Sequence, residues 1–349
     1  MFNHQYGFFD QLLHRLALQY RLIAEMSFDL DQSLVKTNPA EISLQRHVFV
    51  SGLARAGTTA LMRRIHETEL FRSLTYKDMP FVLAPNLWSK LTSLSRREIE
   101  NVERAHGDKF LVNLDSPESL DEVFWRSFAG NEYIERDKLK SHSPSEDLTS
   151  KYVCYVNAIL SNHSPCKRYL SKNNNNILRL GAIQRAFPNS LILIPFRNPF
   201  QQSYSLLRQH RHFTRLQTRS KFVLSYMSWL GHHEFGLDHR RFVLTYSKGP
   251  EYAIDTLDYW LQLWCEVYSW LKNTKPSSAF FVCYEDICAN EDYWRKLAML
   301  AEIPADHKAG SEFQESSRSV SEPMDKELVG LASEIYESLT TLSRSALPS

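Results

Sequence analysis

Apolar residues at the start of the chain recur at intervals of three and four: Phe8, Phe9, Leu12, Leu13, Leu16, Tyr20 and Ile23. That spacing predicts an amphipathic helix over residues 5–25, packed on the outside of a domain. The pattern changes at His47-Val48-Phe49-Val50, a short apolar and β-branched run that stops at Ser51-Gly52. It predicts a strand feeding a glycine turn. Ala60, Leu61 and Ile65 then return to helical spacing. Residues 76–150 read as largely helical and polar, and the asparagine run 173–176 precedes a short helix ended by Phe187-Pro188-Asn189. Residues 190–196 (SLILIPF) are apolar almost throughout, as strands buried on both faces of a parallel sheet are. A helix over 200–209 follows. Residues 279–284 (AFFVCY) predict a third strand, with a helix over 290–301 behind it. Strands alternating with helices predict an α/β fold with a doubly wound, mostly parallel sheet. No repeat or strong linker divides the chain. Residues 1–349 are therefore expected to form a single α/β domain with a helical extension at 1–45, a helical insertion at 76–165, and a loop and helix at 305–349.

Composition narrows the function by exclusion. The 349 residues carry 41 Lys and Arg against 40 Asp and Glu, a net charge of +1, so no global basic field marks a nucleic-acid binder. The 14 prolines and 11 glycines argue against a disordered or fibrous chain. Cys154, Cys166, Cys265, Cys283 and Cys288 form an odd set without a C-x-x-C pair, which excludes a disulfide framework and the common zinc spacings. Reduced thiols in the cytoplasm are the expectation. Charged residues interrupt the first 26 positions, leaving no secretory apolar core. No window is long and apolar enough for a transmembrane anchor. Without export, the sequon Asn162-His163-Ser164 is incidental.

The candidate chemistry begins at residues 51–59, Ser-Gly-Leu-Ala-Arg-Ala-Gly-Thr-Thr. Gly52 and Gly57 are spaced as in a phosphate-binding P-loop, but Thr58 occupies the lysine position. A strand, a glycine turn and a helix N-terminus aim backbone N–H groups at an anion. Thr58 and Thr59 add hydroxyls, and Arg55 adds a charged fork. Such a loop suits one phosphate-like group held without a metal.

The run Gly52-Leu-Ala-Arg55-Ala56-Gly57-Thr58-Thr59 resembles the 5′-phosphosulfate loop of sulfotransferases that use 3′-phosphoadenosine 5′-phosphosulfate (PAPS). It is closest to the Arg-x-Gly-Thr-Thr branch that includes tyrosylprotein and bacterial members. The resemblance implies a P-loop NTPase-like topology and a second, 3′-phosphate site at a later strand end. Arg197, following the apolar run 190–196, and Ser205 eight residues on fit that site. It also implies that Lys172 faces the transferring sulfuryl group, although Asn173-Asn174 stands where the family has Asp-Pro. Tyr284, in Tyr284-Glu285-Asp286, would contact the adenosine, with Glu285 capping the next helix. PAPS is then the co-substrate, no metal is required, and the acceptor is a small molecule, carbohydrate, lipid or peptide carrying a hydroxyl or amine.

In that branch the base that takes the acceptor proton is a glutamate about twenty residues after the loop arginine. Tyr76 stands there in this chain, so Asp78 is the nearest candidate, with Glu118, Glu122 and His66 as alternatives. His210, His212, His232 and His233 do not form a ligand set with a carboxylate, and a metal reading is set aside. The aromatic positions Tyr259, Trp260, Trp264 and Tyr268 read as a core stripe. The serines between 311 and 321 form no nucleophile elbow and read as a mobile loop. Two competing functions remain: an ATP-dependent phosphotransferase on the same loop, and a non-catalytic nucleotide-binding protein.

Overall fold

Five strands build the central sheet: β1 (Val48–Val50), β2 (Phe71–Arg72), β3 (Arg168–Lys172), β4 (Leu191–Phe196) and β5 (Ala279–Cys283). Their order is β2-β3-β1-β4-β5, and every pairing is parallel. This is a computed structural model, and it describes residues 8–93, 102–103, 111–112, 119–161, 166, 168–244, 251–305, 313 and 322–348. The expected α/β class and parallel sheet are observed. β1 and β4 are buried at every position, as their unbroken apolar runs require. All five carboxyl ends lie along one edge. From β1 the chain runs to the β2–β3 flank and later crosses to the β4–β5 flank. The carboxyl end of β1 is therefore the point where the two windings diverge, the place where open parallel sheets characteristically bind ligands.

The helices that frame this edge are α1 (Phe8–Gln19), α2 (Arg21–Gln32), α3 (Thr58–His66), α4 (Pro85–Thr92), α5 (Glu122–Tyr133), α6 (Glu146–Ser161), α7 (Pro199–Arg219), α8 (Leu257–Thr274) and α9 (Lys326–Ser345). On α8, Tyr259, Trp260, Trp264 and Tyr268 are buried, as a core stripe should be. Among the described residues no helix is long and apolar enough to cross a membrane. None of the five cysteines forms a disulfide.

Three elements differ from expectation. The N-terminal helix breaks at Tyr20, whose backbone is extended (φ −89°, ψ 105°), and the face turned inward is Ala17, Leu18, Ala24 and Phe28. Phe9, Leu12, Leu16 and Tyr20 of the expected stripe are exposed instead. β3 is hidden in the sequence because three of its five residues are polar, yet Ser171 and Lys172 are buried. Their partners come from elsewhere: Ser171 Oγ donates to Asp121, and the Tyr169 N–H donates to His47 Nδ1 at 2.9 Å. The insertion 76–165 is not all helix, since Lys138–Lys140 pairs in parallel with Arg241–Val243. The serine-rich segment 311–321 and the sequon lie outside the described residues, apart from Phe313.

Candidate active site

The loop between β1 and α3 is anchored from below, and of residues 51–58 only Arg55 and Gly57 are partly exposed. The Ser51 N–H donates to Leu193 O of β4 at 2.8 Å. Gly52 lies against β4 so closely that a Cβ there would sit 2.9 Å from Pro195 O. Gln202 of α7 donates to Ala54 O at 3.0 Å and accepts from Trp264 Nε1 at 2.9 Å, while Tyr268 Oη donates to Pro195 O at 2.7 Å. The aromatic stripe of α8 thus supplies polar tips that support the loop. Arg55 and Gly57 both take left-handed backbones, φ 67° and 86°. Such paired turns expose successive N–H groups to an anion. α3 then starts at Thr58 with Gly57 as its N-cap, no side-chain cap and no acidic residue in its first turn. Its N-terminal donors are left for a ligand.

Three other strand ends deliver side chains to this loop. Arg55 Nε donates to Ser205 Oγ at 3.0 Å, which joins two motifs 150 residues apart. Tyr284, directly after β5, covers Gly57: a Cβ at that glycine would lie 2.2 Å from its ring. Arg197, directly after β4, is buried with its guanidinium 5.9 Å from the centre of the Tyr284 ring. Glu285 sets it in place. Its Oε1 accepts from the Asn198 N–H at 2.9 Å and lies 3.8 Å from Arg197 Nε, while Oε2 accepts from Tyr336 Oη of α9 at 3.1 Å. Lys172 at the end of β3 pairs in register with Val50 at the root of the loop. Arg55, Lys172, Arg197, Ser205, Thr58 and Tyr284 therefore gather at one carboxyl edge. Their donors and positive charges fit a polyanion, and the two glycines let Pro195 O and the Tyr284 ring close against the loop where a Cβ would clash.

The candidate bases are placed differently. Asp78 is buried, and its carboxylate is committed: Oδ1 meets Arg72 Nη2 at 2.5 Å, and Oδ2 accepts from the Thr75 N–H at 2.7 Å and from its hydroxyl. It closes the capping box of the short 3₁₀ turn Tyr76–Asp78. The carboxylate thus serves as a cap and pairs internally with Arg72. Glu122 is wholly buried and also occupied. Arg179 meets it through two nitrogens at 2.8 and 3.1 Å, Asn173 Nδ2 donates at 2.7 Å, and Tyr133 Oη donates as well. It holds together α5, the end of β3 and the asparagine run. Glu118 lies outside the described residues. His66 sits in the last turn of α3, away from the helix end that faces the loop.

Residues 47–243, more than half of the chain, match the sulfotransferase family. The chain belongs to that family. Solved structures similar to this sulfotransferase include STF1 from Mycobacterium tuberculosis H37Rv, with 13% identity over 92% of this chain and 83% of that one at a TM-score of 0.44. STF9 from Mycobacterium avium shows 13% identity over 85% and 68% of the two chains, TM-score 0.44. The sulfotransferase domain from the curacin biosynthetic pathway shows 12% over 84% and 98%, TM-score 0.39. No curated protein matches in sequence. The family assignment rests on the match over 47–243.

Sequence reasoning missed several residues that shape the sulfotransferase site. Asn198 caps α7 by accepting from the Phe200 and Gln201 N–H groups at 3.1 Å, which fixes the turn carrying Arg197. Gln202 and Tyr336 brace the loop and Glu285. Glu234 accepts from Asn174 Nδ2 at 3.1 Å, just beyond Lys172. Burial alone would raise the pKa of Glu234, but the neighbouring His232 and the charge of Lys172 outweigh it and bring the carboxyl to about 2. Only Asn198 carried a local signal, a polar residue just after an apolar strand and before Pro199. A separate apolar groove of about 280 Å³ between α2 and α4, lined by Met26, Leu30, Phe81, Trp88 and others, carries no cation. It offers nothing to an anionic donor.

Proposed function

We propose that this sulfotransferase moves a sulfuryl group from PAPS to an acceptor hydroxyl or amine. The observation that carries the reading is the Arg55–Ser205 contact. It joins a P-loop lacking lysine to the Arg197 strand end, so that anion-binding groups from β1, β3 and β4 meet over one edge. Arg55, Thr58, Thr59 and the loop N–H groups from Gly52 to Gly57, Ala56 included, would hold the 5′-phosphosulfate. Arg197 and Ser205 would hold the 3′-phosphate, and Tyr284 the adenosine. PAPS supplies a sulfur joined to a good leaving group. Arg55 and Lys172 neutralise the charge that grows on the bridging oxygen as it departs, a preorganised anion hole. The five thiols fit a reducing compartment such as the cytoplasm.

A phosphotransferase on this loop would bind ATP with Mg²⁺. Calorimetry separates the two readings. Adenosine 3′,5′-bisphosphate should bind in the presence of a chelator, and Arg197→Ala should weaken it by about 1.5–3 kcal/mol, as expected for a lost charge-assisted hydrogen bond. Preference for ATP–Mg²⁺, or bisphosphate affinity unchanged by Arg197→Ala, would overturn the assignment.

A further inference from the structure

The turn Gly231-His-His-Glu-Phe-Gly236 follows the helix Lys221–Trp229 and is fixed at both ends. Both glycines take left-handed backbones, φ 75° and 86°. Gly231 lies on Glu122, where a Cβ would come within 2.6 Å of Cγ, and its carbonyl accepts from Asn175 Nδ2 at 3.0 Å. At the far end the Gly236 N–H donates to His210 Nδ1 at 3.3 Å. Between them, His239 Nδ1 contacts Glu234 O at 2.8 Å. His233 is buried, with Nδ1 2.9 Å from Asp238 Oδ2. His232 is the partly exposed member. Its Nδ1 lies 3.7 Å from Glu234 Oε2, and its Nε2 makes no hydrogen bond among the described residues. Glu234 is tied in turn to Asn174, and Lys172 acts on it electrostatically.

The strand order gives this pair a direction. Ser205, Arg197 and Tyr284 follow β4 and β5, on one side of β1. Lys172, Asn174 and, through Asn174, Glu234 and His232 follow β3, on the other. In-line displacement at sulfur needs the acceptor opposite the departing nucleotide. The β3 flank is that side.

We propose that His232 is the general base of this sulfotransferase and Glu234 the positioning residue that orients its imidazole, an inference that rests on the PAPS reading above. His232 Nε2 takes the proton of the acceptor hydroxyl as the acceptor oxygen bonds to sulfur. The bond from sulfur to the phosphate oxygen breaks, and its electron pair leaves with adenosine 3′,5′-bisphosphate. The imidazolium then returns its proton to water. Glu234 beside Nδ1 favours the tautomer protonated there, which leaves Nε2 basic. The spacing of 3.7 Å suits a pair that tightens when substrate binds.

The test uses the full chain, PAPS, and two acceptors in mildly alkaline buffer: water and 4-nitrophenol, the latter mostly ionised there. His232→Ala should bind adenosine 3′,5′-bisphosphate as the parent does and lose ~100-fold or more in turnover with water. Added imidazole should restore part of it, and transfer to 4-nitrophenolate, which has no proton to give up, should fall far less. Glu234→Gln should lower turnover with water about tenfold while leaving bisphosphate binding and transfer to 4-nitrophenolate near the parental values. Parental turnover with water in His232→Ala, or an equal loss with both acceptors in Glu234→Gln, overturns the proposal. Failure of the unmutated chain to bind the bisphosphate overturns the PAPS reading instead. Binding without transfer to either acceptor overturns both.

Discussion

At the scale of the residue, Gly57 combines two demands that no other side chain meets. Its φ of 86° costs an L-residue about 1–2 kcal/mol, and Tyr284 occupies the space a Cβ would take. Gly57→Ala should push the ring off the loop and weaken bisphosphate binding about tenfold or more, an effect of ~1.4 kcal/mol measurable by calorimetry. Arg55→Ala and Lys172→Ala should each lower kcat more than they raise KM, because the charge they meet develops in the transition state. Asp78 belongs to a different class. Removing it leaves Arg72 buried without its carboxylate, so Asp78→Ala should cost about 3–5 kcal/mol of stability by chemical denaturation. Turnover per folded molecule should stay near the parental value, whereas its collapse would return Asp78 to the reaction.

Elements act here through their ends. The parallel strands contribute little chemistry along their length, yet β3, β4 and β5 each hand one polar residue to the carboxyl edge: Lys172, Arg197 and Tyr284. α9 then reaches across to hold the last of these ends. Tyr336 donates to Glu285, and Arg344 forms a two-point pair with Asp286 at 2.9 and 2.8 Å. Glu285 in turn fixes the turn that presents Arg197. Glu285→Ala leaves the Asn198 N–H without its acceptor and Arg197 without its carboxylate. Bisphosphate affinity should fall about tenfold although Glu285 touches no ligand in this reading. Tyr336→Phe should do the same more weakly, by about 1 kcal/mol. An unchanged affinity in both would separate α9 from the site.

Across the whole molecule, buried neutral histidines set the response to acid. Burial lowers His47 to about 4 and His239 to about 4, and burial with the charge of Arg179 lowers His142 to about 3. An unfolded histidine titrates near 6.5, so between about 6.5 and 4 the unfolded chain binds more protons than the native one. Stability is full above that window and falls as the pH drops through it. Asp121 opposes this, since burial raises it to about 6 and its contribution is lost as the pH rises. Three imidazoles outweigh one carboxylate. The melting temperature should therefore drop steadily from pH 7 to pH 5, and a flat profile would contradict the assignment of these rings as neutral.

The α/β class, three of the five central strands, the glycine loop and the Arg197–Ser205 spacing were all legible in the chain itself. Each is a local pattern: an apolar run, a turn residue, a fixed offset. β3 was not legible, because buried polar residues mimic a loop until Asp121 and His47 are folded against them. The duties of Asp78 and Glu122 were hidden for the same reason. Their partners Arg72 and Arg179 are named by sequence, but only packing decides that each carboxylate is spent on its arginine. The pairing of Glu234 with Asn174, sixty residues away, depended on the tertiary fold, whereas His232 is its neighbour in the same turn. Local chemistry determined which residues could bind an anion. The parallel crossing of the sheet decided which of them stand together, and on which side of the loop.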